Sequence, residues 1–169
     1  MKTTIALYNS LCTTELLDKL KIKYTFIGYG YFTGALYVYY NDYYALPYKS
    51  PVKNHRGFNK VFCKIYIIDD LYYMKQLDAY MRCSKSMLKK NHDIMDLTHR
   101  TKMKVTPIFF TNISDFIHLN YKEGDEVEIE TYIGNINNSR VVSMINKNNK
   151  HRCESPSHYI IEEVYNEYK

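Results

Sequence analysis

The sequence predicts an α+β fold in which a small, closed or strongly curved sheet carries a few helices. Two observations lead there. Strand-like alternation recurs along most of the 169 residues, whereas amphipathic helical stripes occur once early, once centrally and once late. The second observation is a strand running directly into a helix between residues 61 and 81. Val61, Cys63, Ile65 and Ile67 alternate there with Phe62, Lys64, Tyr66 and Ile68. Only Lys64 is clearly polar, so both faces of this strand are expected to be covered. Asp69-Asp70 ends it and offers a helix N-cap, because a short carboxylate can accept from the free N–H groups of a first turn. Leu71, Met74, Leu77 and Met81 then recur at helical spacing, with Tyr73 and Tyr80 alongside.

The other elements follow in chain order. Thr3 to Tyr8 reads as a strand, ended by the turn-like Tyr8-Asn9-Ser10-Leu11. Thr13 or Thr14 can cap a helix over Glu15 to Leu20, with Leu16, Leu17 and Leu20 as its apolar face. A strand, a tight loop and a helix N-terminus in this order present backbone N–H groups to an anion or a carbonyl oxygen. Lys23 to Tyr29 and Gly34 to Tyr40 read as two further strands. Gly28, Gly30 and Gly34 make no dinucleotide fingerprint, since no helix pattern follows, and instead mark a turn, a bulge or a close backbone approach. Tyr43 to Tyr48 with Pro47 reads as an irregular aromatic segment, and 49–60 as a polar loop.

Beyond Met81, a short helical piece is expected around Lys85 to Lys90. Arg100 to Phe110 alternates as a strand that Pro107 assigns to an edge or a bulge. Ile113 to Leu119 is a short helix or a loop, and Tyr121 to Asp125 a turn. Glu126 to Ile133 alternates cleanly, with Val127, Ile129, Thr131 and Ile133 on one face. A polar segment, 136–154, leads to a terminal helix over 155–169, with Ser155 as N-cap and Pro156 at the first position. The apolar stripe of that helix is expected to dock it on the domain.

Composition narrows the function classes. The four cysteines, Cys12, Cys63, Cys83 and Cys153, form no C-x-x-C pair and point to reduced thiols in a cytoplasmic protein. No apolar run is long enough to span a bilayer and no signal peptide is recognisable, so no membrane partner is expected. The six histidines show no paired metal spacing, and no cofactor motif is present; His151-x-Cys153 with His158 is only a thin zinc pattern. A net charge of +5 with a denser basic patch at Arg82, Lys85, Lys89 and Lys90 reads as a solvated face, with phosphate or nucleic-acid binding as the alternative. The 19 tyrosines, with no tryptophan, are good strand formers that fill a core while exposing a hydroxyl. Heavy use of Tyr, Lys, Asn and Ile is a codon-level sign of an AT-rich genome such as that of a virus or a parasite.

Three pieces in order then resemble one family: the strand ending in Tyr8-Asn9-Ser10-Leu11; Gly34-Ala35-Leu36-Tyr37 followed by Tyr44-Ala45-Leu46-Pro47; and the strand 61–68 with Asp69-Asp70 and Leu77-Asp78-Ala79-Tyr80. Thr98 to Val105 echoes a later Tyr-x-Arg-x-x-Val-x-Val strand, and Glu130 to Ile133 a closing one. This set is similar to the γ-glutamylcyclotransferase-like (AIG2-like) family and covers about residues 3–135. The resemblance implies a small mixed β-barrel flanked by helices over 1–135. It also implies an early loop whose N–H groups bind substrate, and a Glu closing Leu-Asp-x-x-Glu as general acid/base. That Glu would take a proton from the substrate α-amine, which attacks the γ-carbonyl to give 5-oxoproline or a related lactam. Such chemistry needs a titratable group within reach of the amine and donors aimed at the developing oxyanion.

The chain departs from that pattern twice. Met81 stands at the acid/base position, and a thioether is no proton carrier. Asn9 stands where the family has glycine. Asp78 lies three residues before Met81, about 60° off in azimuth, and reads as a helix-surface or capping residue. Asp69, Asp70, Glu128 and Glu130 read as strand-end or outward residues. The resulting expectation is a cyclotransferase-like domain without ordinary cyclotransferase activity. It would bind a small, anionic or nucleotide-like ligand in a pocket lined by Tyr8, Asn9, Ser10, Leu11, Tyr37, Tyr44 and Met81. No catalytic residue and no metal ligand is assigned. Two alternatives stay open: an active γ-glutamyl(amine) cyclotransferase with a displaced base, and a protein- or nucleic-acid-binding module using a Tyr/Lys-rich surface.

Overall fold

The computed structural model describes residues 2–8, 14–39, 42–46, 59–82, 98–110, 124–135, 137–139, 143 and 156–168; for 14–16, 35–39, 42–46, 59, 82, 156–160 and 168 only the backbone is described. The strands are β1 (Thr3–Leu7), β2 (Tyr24–Tyr39), β3 (Asp42–Leu46), β4 (Asn59–Ile68), β5 (Thr98–Phe109) and β6 (Val127–Gly134). The helices are α1 (Thr14–Lys19), α2 (Leu71–Arg82) and α3 (Pro156–Tyr168).

β4 organises the fold because both of its faces pack into cores, with water reaching only Lys60 and Lys64 on the outer one. Val61, Cys63, Ile65 and Ile67 join Ala6, Tyr8, Ile27, Phe32, Val105, Val127 and Ile129 in one buried cluster, the interior of the barrel. Phe62, Tyr66 and Ile68 point the other way, into a second cluster with Leu17, Met74, Leu77, Ile161 and Tyr165 from the helices. The period-2 alternation thus sorts one strand into two cores. Antiparallel partners occupy both of its edges, β1 (Thr3↔Ile68 to Leu7↔Lys64) and β2 (Tyr24↔Ile68 to Gly34↔Asn59). β2 also pairs with β5, β5 with β6, and β6 returns in parallel to β1 through Ile5↔Glu130 and Ala6↔Thr131. The five strands close into a mixed barrel, which leaves no open edge along that ring. β3 fills the gap where β2 and β6 splay, pairing Ala35–Tyr39 of β2 and meeting β6 at Ala45↔Ile133.

The register corrects two sequence expectations. The segments at 23–29 and 34–40 form one 16-residue strand, and 42–46, expected to be irregular, is β3. The bulge and the close backbone approach expected of the glycines both occur within β2, at the register shift between Phe26 and Gly28 and at Gly28 itself. A Cβ at Gly28 would collide with the backbone carbonyl of Ile108 on β5, and Phe110 N–H donates to the Ile27 carbonyl at 2.9 Å beside it. Pro107 is buried in this β2–β5 seam, opposite Gly30, rather than at an open edge.

The helix starts follow their caps. Asp70 Oδ1 accepts from Tyr72 N–H at 3.0 Å, and the Asp70 carbonyl accepts from Tyr73 and Met74 N–H, so Asp70 is the N-cap of α2. Met74, Leu77 and Met81 are buried as the stripe requires, but Leu71, in the first turn, is 45% exposed. α3 starts at Pro156 and sets Tyr165 against Tyr31 and Phe62, with ring centroids 5.5 and 5.4 Å apart. Gly124, at φ 92°, turns the chain into β6. Cys63 is buried and not in a disulfide. No helix among the described residues is long and apolar enough to cross a membrane. The expected helices at 85–90 and 113–119, most of the connection 136–154, and Cys12, Cys83, Cys153, Lys85, Lys89 and Lys90 lie outside the described residues.

Two substitutions test this architecture in urea unfolding. Gly28→Ala is expected to lose about 3 kcal/mol, at the upper end of overpacking costs, because backbone and not a flexible side chain blocks the new methyl. Asp70→Ala is expected to lose about 1 kcal/mol through the cap. An unchanged midpoint for Gly28→Ala would contradict the β2–β5 seam.

Candidate ligand site at one end of the barrel

The end of β1, the last turn of α2, the start of β5 and the end of β6 meet at one end of the barrel, because β6 runs parallel to β1 and antiparallel to β5. Two side-chain bonds tie β1 to β6 there. Thr131 Oγ1 donates to the Ala6 carbonyl at 2.7 Å, and the Tyr8 hydroxyl donates to the Tyr132 carbonyl. Tyr8 is 1% exposed, with its ring edge-on to Phe32 at 5.8 Å.

α2 docks on the same end. Its amphipathic stripe places Met81 in the outer core at 4% exposure, in the same cluster as Leu7, Leu77 and Tyr132. The Met81 carbonyl, one of those left open at a helix C-terminus, accepts from the Thr98 hydroxyl at 2.9 Å. Asp78, three residues earlier, lies at the rim. Arg100 grips it with both ends of its fork, Nε to Oδ1 and Nη2 to Oδ2 at 3.2 Å each, and places Nη1 3.1 Å from Glu130 Oε2. The Tyr132 hydroxyl also donates to Asp78 Oδ1. A bidentate arginine bond fixes orientation as well as charge, so Arg100 sets the angle between α2 and the β5–β6 pair. Burial, and then the hydrogen bond to Asp78, raise the Tyr132 pKa well above the ordinary tyrosine value.

These side chains wall a cleft of about 340 Å³ lined by Asp78, Thr98, His99, Arg100, Glu130, Tyr132 and Asn135. His99 is held below its ordinary pKa by burial, and its Nδ1 is buried without a hydrogen-bond partner. Among the described residues no group of three His, Cys, Asp or Glu could hold a metal ion.

Of the residues expected to line a ligand pocket, Tyr8 and Met81 are both buried near this end, one in the barrel interior and one in the outer core. Tyr37 and Tyr44 face each other in the β2–β3 register, one position from Ala45, which meets β6 at Ile133. Asn9, Ser10 and Leu11 lie outside the described residues. None of the residues that line the cleft is among those expected to line a ligand pocket, and neither Tyr8 nor Met81 lines it. Asp78 was assigned to the helix surface and Glu130 to an outward position, yet Arg100 joins the two. The available signal was an acidic residue on an amphipathic helix followed by an arginine on the next strand. Neither residue is informative alone, and the pairing depends on how the helix crosses the sheet.

The raised Tyr132 pKa has a measurable consequence. Unfolded tyrosine loses its proton near pH 10 while folded Tyr132 keeps it, so this contribution to stability is complete below pH 10 and is lost as pH rises beyond it. Tyr132→Phe is expected to lower stability at neutral pH by about 1 kcal/mol, from the lost hydrogen bond to Asp78. It should also flatten the fall in stability above pH 10, measured by urea unfolding across pH. An alkaline slope unaffected by the substitution would contradict the assignment.

No protein-family model matches the chain, and no curated protein matches it. Solved structures do. A mouse AIG2-like protein is 18% identical, covering 85% of this chain and 84% of its own, with a TM-score of 0.50. An Arabidopsis thaliana protein known from its solution structure is 12% identical over 99% of this chain and 79% of its own, TM-score 0.47. A γ-glutamyl cyclotransferase is 9% identical over 96% and 99%, TM-score 0.45. At such identities the likeness is one of architecture, and it rests on the mouse protein together with the strand order and closure described above. The chain has the AIG2-like, γ-glutamylcyclotransferase-like barrel fold.

Proposed function

We propose that the chain is a cyclotransferase-fold protein that does not carry out ordinary γ-glutamyl cyclotransfer and instead binds a small ligand at this end of the barrel. Met81 carries the reading. It stands where the resemblance calls for the acid/base carboxylate, it is buried in the outer core, and its thioether neither takes up nor delivers a proton. The neighbouring carboxylates are engaged. Asp78 accepts from Arg100 and Tyr132, and Glu130 accepts from Arg100, so recruiting either as a base means opening an ion pair. Loss of a general base costs about 10²–10⁴-fold in rate, enough to silence a slow enzyme without disturbing its fold. The ligand would lie at this end of the barrel, where Tyr8 is buried in the interior and Met81 in the outer core, with residues 9–11, Tyr37 and Tyr44 as further expected contacts.

A second reading, an active cyclotransferase with a displaced base, is favoured by one observation: Asp78 lines an open cleft one helical turn from Met81. Incubation with γ-glutamyl dipeptides and γ-glutamyl-ε-lysine separates the two. The natural protein is expected to release neither 5-oxoproline nor free amine, and Met81→Glu is expected to gain release at least about tenfold above background. Release by the natural protein that collapses in Asp78→Asn would overturn the first reading in favour of the second.

A further inference from the structure

The outward side of the sheet made by β4, β2 and β5 brings aromatic rings and ammonium groups together. The register sets its rows: Tyr29 stands between Lys64 and Ile108, and Tyr31 between Phe62 and Thr106. Their neighbours Phe32, Cys63 and Val105 fill the barrel interior, so period 2 turns these side chains outward. The bulge between Phe26 and Gly28 adds one residue to β2, which keeps Phe26 on the same side as Tyr29, ring centroids 5.1 Å apart. Phe110 joins the two rings at 5.7 and 5.4 Å. Tyr165 of α3 packs on Phe62 and Tyr31, but beyond it the face meets water. Phe110 is 41% exposed, Lys60 is exposed, and Phe26, Tyr29 and Lys64 are half-buried. Both lysines lie against rings, Lys64 Nζ 5.9 Å from the Phe26 centroid and Lys60 Nζ 4.5 Å from that of Tyr31. The stretches 26–33, 60–66 and 104–110 that build the face contain no acidic residue and three lysines. One of these, Lys104, stands opposite Glu128 of β6, which leaves Lys60 and Lys64 as the charges of the face.

We propose that this face binds single-stranded nucleic acid, with bases against Phe26, Tyr29 and Phe110 and phosphates on Lys60 and Lys64. Outward residues two apart on a strand are about 7 Å apart, twice the rise of about 3.4 Å between stacked bases, so successive rings suit successive bases. Every base offers a π-face whatever its identity, and base faces and phosphates are common to DNA and RNA. A lysine ammonium at a surface ring can turn to a phosphate while its stem stays on the aromatic surface. The charge of the face also decides against other occupants. An apolar protein surface would have to cover two ammonium groups, and a polyanion without bases would leave the rings unused. A duplex keeps its base faces inside the stack, so the single strand is the form that fits. The face shares no residue with the cleft at the barrel end. The inference therefore goes beyond ligand binding there and stands or falls separately from it.

The test is the binding of a fluorescein-labelled oligothymidylate of about twelve nucleotides to the full chain, read by anisotropy across a range of salt concentrations. Saturable binding that weakens as salt rises is expected. Phe110→Ala should weaken it at least about fivefold and leave the salt slope unchanged, because a ring and not a charge is lost. Lys60→Gln should weaken it and reduce the slope by about 0.7, the share of one phosphate contact on a single strand. Lys75→Gln, at an exposed position of α2 away from this face, should change neither. Far-UV circular dichroism establishes that each variant is folded. Four results would each overturn the proposal: no saturable binding; a folded Phe110→Ala chain that binds as tightly as the natural one; equal weakening by Lys75→Gln and Lys60→Gln; or inorganic polyphosphate that displaces the probe as well as unlabelled oligothymidylate does at equal charge.

Discussion

The parallel contact between β1 and β6 is the constraint on which the rest depends. Its ladder spans only Ile5↔Glu130 and Ala6↔Thr131, yet it converts a curved sheet into a closed barrel. A parallel pairing this short is a weak seam by itself. Two buried side chains reinforce it, Thr131 on the Ala6 carbonyl and Tyr8 on the Tyr132 carbonyl. Both bonds end on backbone carbonyls, so each side chain ties one side of the seam to the main chain of the other. The interactions that close the barrel also order its end, because Tyr132 presents its carbonyl to Tyr8 and its hydroxyl to Asp78. Closure, helix docking and the shape of the cleft are thus coupled through one residue.

The outer layer follows from the same geometry. β4 carries Phe62, Tyr66 and Ile68 on its outer side, so that side demands a cover, and α2 follows it after the two residues Asp69-Asp70. So short a connection folds the helix back over the strand it has just left. The buried side of α2 ends in Met81, while the rim keeps Asp78 for Arg100. A carboxylate at 81 would sit in this apolar cluster, where its charge would cost several kcal/mol unless a partner compensated it. Methionine carries no such cost. Its side chain packs in the outer core, while the charged side chains Asp78, Arg100 and Glu130 lie one turn back at the rim of the cleft.

Much of this was legible because it is local. The two-sided apolar pattern of β4, the Asp70 cap, the stripe through Met74, Leu77 and Met81, the alternation of β6 and the Ser-Pro start of α3 are all written within a few residues of one another. The ordered family motifs pointed to the barrel as a whole. What was misread depended on partners. The segments 23–29 and 34–40 read as two strands although they are one, because only the pairing with β4 and β5 shows the chain running straight on past Gly28, where β5 approaches closely. β3 looked irregular beside Pro47, but pairing with β2 holds 42–46 as a strand. Leu71 matches the spacing of the stripe and is nevertheless exposed, because periodicity within a helix does not say which of its turns other elements cover. The cleft was least legible of all: Arg100 and Asp78 are 22 residues apart, Tyr132 and Asp78 are 54 apart, and no local pattern encodes either pair.

The central claim is that closure by β1 and β6 holds this end of the barrel together, and native-state hydrogen exchange tests it most directly. The amides of Ala6, Leu7 and 130–132 should exchange only through global unfolding, with free energies equal to that of the whole chain. In Thr131→Val, which removes the bond to the Ala6 carbonyl, those amides should fall to a lower, local opening energy together with the amides at the start of β5. Exchange of the 5–7 and 130–132 amides through low-energy local opening in the natural protein, with β5 still protected, would contradict the account, because the cleft would then be standing without the closure said to build it.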